Sequence, residues 1–344
     1  METSLAQNVV DQFRLNRNRK ILSRVSGFSR RLPEIKTIDD LISIAETRNV
    51  YRDFNTLGLW GILPQLKELQ ALVGMKSLKE SIFYQIIYYL QGMHERPGTE
   101  DYLHTMLYGP PGVGKTTVAN IIARIYRNLG ILSKNGPFKT ANRQDFIAAY
   151  LGQTAIKTQK FLDSCIGGVV FIDEIYSLGP KENGKDMFTS EASDILNQFL
   201  SEHRKDCAVI GAGYEEEIEQ RFFPLNRGLR RRFVWIHRID PYEPEDLAEM
   251  AVRMTKKNNW ELEVEHGEIA HIIREHKALF ENCGGDIEVW LTKSRITHAN
   301  RVLGKPSHHK FKLTIDDLRT GFELFRKHRE SQEKEKFHEM SMYL

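Results

Sequence analysis

The stretch Gly109-Pro-Pro-Gly-Val-Gly-Lys-Thr116 governs how the rest of this chain is read. It fits G-x-x-x-x-G-K-[ST], the phosphate-binding P-loop. Just upstream, residues 103–108 form a short apolar run that reads as a buried strand. Downstream, Val118, Ile121, Ile122 and Ile125 recur at helical spacing, and Gly130 supplies a stop. The motif therefore lies between strand and helix, where its chemistry needs it. Its glycines let backbone N–H groups turn onto a phosphate, and the helix N-terminus adds positive potential. Lys115 reaches for the β- and γ-phosphates of a nucleotide, and the Thr116 hydroxyl is a ligand for Mg²⁺. The nucleotide-binding set read from this loop is Pro110, Pro111, Gly112, Val113, Gly114, Lys115, Thr116 and Thr117.

Residues 168–174, Gly-Val-Val-Phe-Ile-Asp-Glu, form an unalternating apolar run that ends in two carboxylates. Such a run suits a central parallel strand buried on both faces. Acids at the carboxyl end of that strand belong beside the P-loop, which is the Walker B arrangement. Asp173 is the expected metal partner with Thr116, and Glu174 the residue that polarises the attacking water. An additional strand between P-loop and acid, with a glutamate next to the acid, marks the ASCE division of P-loop enzymes.

Outside these motifs the composition sets bounds. The chain has 344 residues, enough for two domains, and 41% apolar content, enough for a sizeable core. A net charge of +3 does not mark the whole chain as a polyanion binder. Cys165, Cys207 and Cys283 are scattered, which argues against a zinc site or disulfide framework and for a cytoplasmic or other reducing compartment. No apolar run is long enough to span a membrane, and no secretory signal is visible. Residues 1–36 carry eight basic side chains against Glu2, Asp11 and Glu34. This basic leader reads as a solvated extension or a subunit-packing arm. Organelle targeting and nucleic-acid contact are the alternatives.

Along the rest of the chain, Thr37 reads as the cap of a first helix, and Trp60 to Pro64 as a linker. A helix bearing Leu78, Ile82, Ile86, Tyr89 and Leu90 follows. Residues 137–141 read as a second strand, Gln144 to Tyr150 as a helix, and Lys157 to Cys165 as another helix. Residues 207–212 and 233–237 supply two more strands, and residues 190–203 and 215–222 two more helices. From Pro241 the pattern turns helical. Leu247, Met250, Ala251 and Met254 make one face, Ile269, Ile272 and Ile273 a second, and Ile287, Leu291 and Ser294 a third. Thr314 caps a last helix, and the charged tail from Arg329 is expected to fray. The domain reading is a basic extension and linker over 1–65, an α/β ATPase domain over 66–240, a helical lid over 241–330 and a charged tail over 331–344.

Taken together, these residues resemble the AAA+ ATPases from about Glu68 to His328. Tyr150-Leu151-Gly152 resembles the aromatic–hydrophobic–glycine pore loop of ring translocases. Residues 211–214, Gly-Ala-Gly-Tyr, residues 226–233, Asn-Arg-Gly-Leu-Arg-Arg-Arg-Phe, and residues 150–158 are similar to the branch holding CbbX-type Rubisco activases, SpoVK sporulation ATPases and type VII secretion ATPases. Leu72-Val73-Gly74 resembles the family's adenine-side box, which adds Val73 and Gly74 to the nucleotide set. The resemblance implies a P-loop α/β fold with a five-stranded parallel sheet, helices on both faces and a small all-helical lid. It implies ATP and Mg²⁺ as ligands, and a ring, usually a hexamer. An arginine from one subunit then completes its neighbour's site. Arg230, Arg231 and Arg232 fall where the family carries that finger, with Arg232 the first choice and Arg230 the second.

Two departures stand out. Gly213 and Tyr214 occupy the place of the usual polar sensor 1 residue. Residues 282–288 lack the sensor 2 arginine, and Arg295 lies two turns further on. The leading functional expectation is a homo-oligomeric ATP-driven ring that threads or remodels a protein client. A nucleic-acid motor or loader on the same fold is the alternative, without a helix-turn-helix, zinc module or aromatic-basic platform to favour it. A nucleotide-gated scaffold that hydrolyses poorly is the third. The sequence does not name the client, because branch relatives share a motor and differ in what it acts on.

Overall fold

The computed structural model describes residues 31–51, 54–96, 101–148, 152–180, 187–306 and 309–342. The chain forms two compact units, one of residues up to 72, 77–108 and 116–238, the other of residues 73–76, 109–115 and 239–344.

The first unit is built on a five-stranded parallel sheet. Its strands are β1 Thr105–Tyr108, β2 Phe138–Ala141, β3 Val169–Ile172, β4 Ala208–Gly213 and β5 Trp235–Arg238, in the order β2-β3-β4-β1-β5. Every residue of β1, β3 and β4 is buried, as continuous apolar runs require when helices cover both sheet faces. The edge strands β2 and β5 are only partly buried. β4 is the strand inserted between the P-loop strand and the acid strand. Tyr108 pairs with both Gly213 and Arg238, so three strands end level.

Among the described residues, the α-helices of four or more residues in this unit are α1 Ile38–Glu46, α2 Thr56–Ala71, α3 Lys76–Leu90, α4 Lys115–Leu129, α5 Arg143–Phe146, α6 Gln153–Asp163, α7 Met187–Glu202 and α8 Leu229–Arg232; α3 and α4 each take one residue from the other unit. Thr37 caps α1 in a full capping box with Asp40. The expected linker at Trp60 to Pro64 is instead the middle of α2, with Pro64 inside the helix. Proline there forfeits a backbone bond and crowds the carbonyl four residues back. Leu59, Ile62, Leu66 and Leu69, all fully buried, outweigh that cost.

A second correction concerns Gln144 to Tyr150. The helix there stops at Phe146, and Ile147 is already extended at φ −93°, ψ 132°. Side chains of α6 take the backbone groups that another turn would need. Thr158 donates to the Phe146 carbonyl at 2.9 Å, Lys157 to that of Ile147 at 3.1 Å, and the Ala148 N–H donates to Thr154 at 3.2 Å. α6 also begins four residues earlier than its apolar spacing suggests, directly after Gly152.

The helical unit holds α9 Pro244–Lys257, α10 His266–Glu275, α11 Gly284–Arg301 and α12 Ile315–Met342. Pro244 sits at the first position of α9, where its missing N–H is harmless. Phe280, Trp290, Phe322 and Phe325 pack as one aromatic cluster, with ring centroids 5.3–6.2 Å apart. The unit also carries a two-stranded parallel ribbon, β6 Glu261–Glu263 and β7 Lys312–Thr314, which the helical pattern gave no sign of. Far from fraying at Arg329, the α12 backbone stays helical through Met342. Arg326 supports it by pairing with Glu323 and Glu330. None of the described helices is long and apolar enough to cross a membrane.

Candidate nucleotide-binding site

β1 delivers the chain into the P-loop, and α4 begins at Lys115 with no residue to spare. Gly112 and Gly114 hold φ values of 71° and 89°, which turn the backbone in the sense the motif requires. Val113 is buried, while Gly112, Thr116 and Thr117 are exposed and Pro110, Pro111 and Gly114 half-buried. Lys115 is nearly buried. Its ammonium donates to the carbonyls of Gly109 at 3.1 Å and Pro110 at 2.7 Å, so the charge is curled over the loop that it serves.

The loop packs as part of the helical unit. A Cβ on Gly112 would fall 2.1 Å from the Asn282 carbonyl oxygen, so two backbones meet there. The Tyr242 hydroxyl donates to the Val113 carbonyl at 2.9 Å. Val73 and Gly74 belong to the same unit, with Gly74 at φ 60° against the Asp246 carboxylate. The stretch that lacks a sensor 2 arginine thus meets the loop through its backbone, at residues 282–284. Arg295, two turns further on, is held along its own helix. Its guanidinium donates to Leu291 and Thr292 of its own helix. Tyr242 escapes a sequence reading, because a single tyrosine after a proline carries no periodic or motif signal.

In the sheet unit, Asp173 is half-buried and Glu174 exposed, one and two residues beyond β3. Asp173 accepts the Glu174 N–H at 3.0 Å. Glu174 itself is left-handed at φ 47°, ψ 47°, a strained setting for a residue with a side chain. Ile175 and Leu178, both buried, fix the turn that follows. Tyr176 lies beside Glu174, and burial followed by the glutamate's charge pushes its hydroxyl up to about 12. A Cβ on Gly213 would press to 2.8 Å from the Tyr176 ring, so a larger sensor 1 side chain has no room there.

The three arginines part company. Arg232 is half-buried and turned inward, donating to Ser201 and to the Gly228 carbonyl, each at 2.7 Å. Arg231 is exposed and makes no hydrogen bond or ion pair among the described residues. Arg230 is exposed, paired with Glu219, and lies over the Phe223 ring at 5.3 Å. Of the expected pore loop, Tyr150 and Leu151 lie outside the described residues. Gly152 is exposed at φ 78°, at the N-terminus of α6.

Residues 105–237 match the family model for AAA, the ATPase family associated with various cellular activities. Over 295 residues the chain is 36% identical to a cfxQ-like protein of Acanthamoeba polyphaga mimivirus, covering 84% of this chain and 72% of that one. The chain belongs to the AAA ATPase family. Over 210 residues it is 37% identical to stage V sporulation protein K of Bacillus subtilis, covering 60% of this chain and 64% of the relative. These relatives place it in the CfxQ- and SpoVK-like branch of AAA+. Among solved structures, a point mutant of Thermotoga maritima RuvB superposes with a TM-score of 0.50 at 20% identity, over 74% of this chain and 72% of that one. That likeness speaks to the fold: the same parallel sheet followed by a helical region.

Proposed function

We propose that this AAA chain binds Mg²⁺–ATP on its P-loop and hydrolyses it as one subunit of a homo-oligomeric ring, expected to be a hexamer, that remodels a protein client. The observation carrying the reading is the loop itself: positive-φ glycines, a nearly buried lysine and a helix that starts on that lysine. Such a cradle suits polyphosphate. Thr116 and Asp173 would hold the ion, which when bound neutralises phosphate charge. Lys115 would exchange its loop carbonyls for phosphate oxygens. Glu174, exposed and held on a rigid turn, would orient and polarise the water.

For the cation supplied in trans, the geometry favours Arg230 over Arg232. A finger must reach beyond its own subunit: Arg230 is exposed at the surface, whereas Arg232 is half-buried and donates inward to Ser201 and Gly228. Arg231 is the second choice. Threading through a pore at Tyr150, Leu151 and Gly152 belongs to the same reading and rests on the resemblance of those residues. The test is Glu174→Gln. The amide still bonds water but is a far poorer base, so ATP should stay bound while turnover falls about a hundredfold or more. Parent-rate turnover in that variant ends the reading.

A further inference from the structure

Tyr108 is the last residue of β1 and the last before the P-loop. It is buried, and its hydroxyl donates to Glu219 Oε1 at 2.8 Å. The other oxygen of Glu219 pairs with the Arg230 guanidinium. One carboxylate therefore joins the end of the P-loop strand to an exposed cation. Nearby charges are already committed. Arg238 lies over the Tyr108 ring at 5.3 Å but is held twice by Glu215. Arg221 pairs with Glu217 at 2.8 Å. Glu219 also sits in the π-turn Ile218–Phe222, whose Ile218 and Phe222 are fully buried, so its backbone is fixed from both ends. Single π-turns in an otherwise helical segment concentrate at functional sites.

The exposures set the direction of the argument. The Arg230 side chain is 58% exposed and that of Glu219 only 30%. An arginine loses rotamer freedom when fixed, a cost that a free surface side chain would have to meet at each turnover. A carboxylate on one side and the Phe223 ring on the other remove that freedom beforehand and leave donors of the guanidinium facing solvent.

We propose that Glu219 is a positioning residue for Arg230: anchored by Tyr108 at the root of the P-loop, it holds that guanidinium extended for use on the neighbouring subunit's nucleotide. This rests on the reading of Arg230 as the trans-acting cation.

The experiment uses the full chain with Glu219→Gln, which keeps an acceptor for Tyr108 and loses the ion pair. Turnover is expected to fall about tenfold to a hundredfold with KM for ATP and the melting temperature unchanged. Tyr108→Phe should lower turnover in the same direction and add nothing to Glu219→Gln. In the residual turnover of Arg230→Ala, Glu219→Gln should make no further difference, because a positioning residue has nothing left to position. Normal turnover in Glu219→Gln while Arg230→Ala is impaired overturns the inference alone. Normal turnover in Arg230→Ala overturns both the inference and the finger assignment beneath it. A further loss from Glu219→Gln in the Arg230→Ala background, or a lowered melting temperature, marks Glu219 as merely structural and overturns it too.

Discussion

At Gly112 two requirements coincide in one residue. Its φ of 71° is costly for any side chain, at about 1–2 kcal/mol, and the Asn282 oxygen fills the space a Cβ would occupy. Gly112→Ala must therefore displace either the loop or residues 282–284. The expected result is ATP affinity weakened at least about tenfold, measured by calorimetry, since donors shifted by tenths of an ångström no longer converge on phosphate. Unchanged affinity would mean the loop does not use this conformation to bind. Lys115→Ala acts differently. It removes the mobile cation and leaves the backbone contact with Asn282 intact, so binding should be lost with little change in melting temperature. A parent-like affinity in Lys115→Ala would contradict the role given to that lysine.

Among the elements, β1 and β5 are locked to their neighbours by two buried histidines. His104 accepts the Val209 N–H of β4 at Nδ1, at 3.1 Å, and its Nε2 lies 2.9 Å from the Leu200 carbonyl of α7. Both bonds are made at once only by the neutral ring with its proton on Nε2. His237 lies between Ser81 and Gln85 of α3, at 2.7 Å and 3.1 Å. Burial pushes each ring down to about 4 from the usual 6.5. The unfolded chain thus takes up a proton on each ring between those values while the folded chain does not. Stability from these groups is complete above about pH 6.5 and is lost as pH falls toward 4, on the order of 3 kcal/mol per ring. The melting temperature should drop steeply over that window, and His104→Gln should flatten the drop. An equally steep pH dependence in that variant would assign the acid sensitivity to carboxylates instead.

For the whole molecule, the expectation is a ring whose sites are completed by neighbours. Lys115→Ala subunits alone should be inactive, and Arg230→Ala subunits alone should keep only a low residual turnover. Mixed one to one, about a quarter of head-to-tail interfaces pair an intact P-loop with an intact arginine, so hydrolysis should partly return. No recovery, with mixed rings verified by mass, would place the decisive cation elsewhere, with Arg231 the next choice.

Features set by neighbours in the chain were legible in the order of residues. The P-loop reads in eight consecutive residues, and β3 with its two acids in seven, because a buried strand needs an unbroken apolar run and the chemistry needs acids at its end. Capping at Thr37 is equally local. Other features depend on the folded chain. α2 runs through Pro64 because four buried side chains outweigh one forfeited bond. α5 ends after one turn because α6 takes its carbonyls. The β6–β7 ribbon needs two three-residue strands brought together from residues 261–263 and 312–314, too short to leave a pattern. Arg230 and Arg232 are indistinguishable in a run of three arginines. They separate once Ser201 and Gly228 claim one and Glu219 the other. Tyr108 and Glu219 are 111 residues apart, a pairing that sequence spacing cannot express. A local pattern fixes what a segment becomes, whereas a side chain's partner depends on which distant segment the sheet order brings beside it.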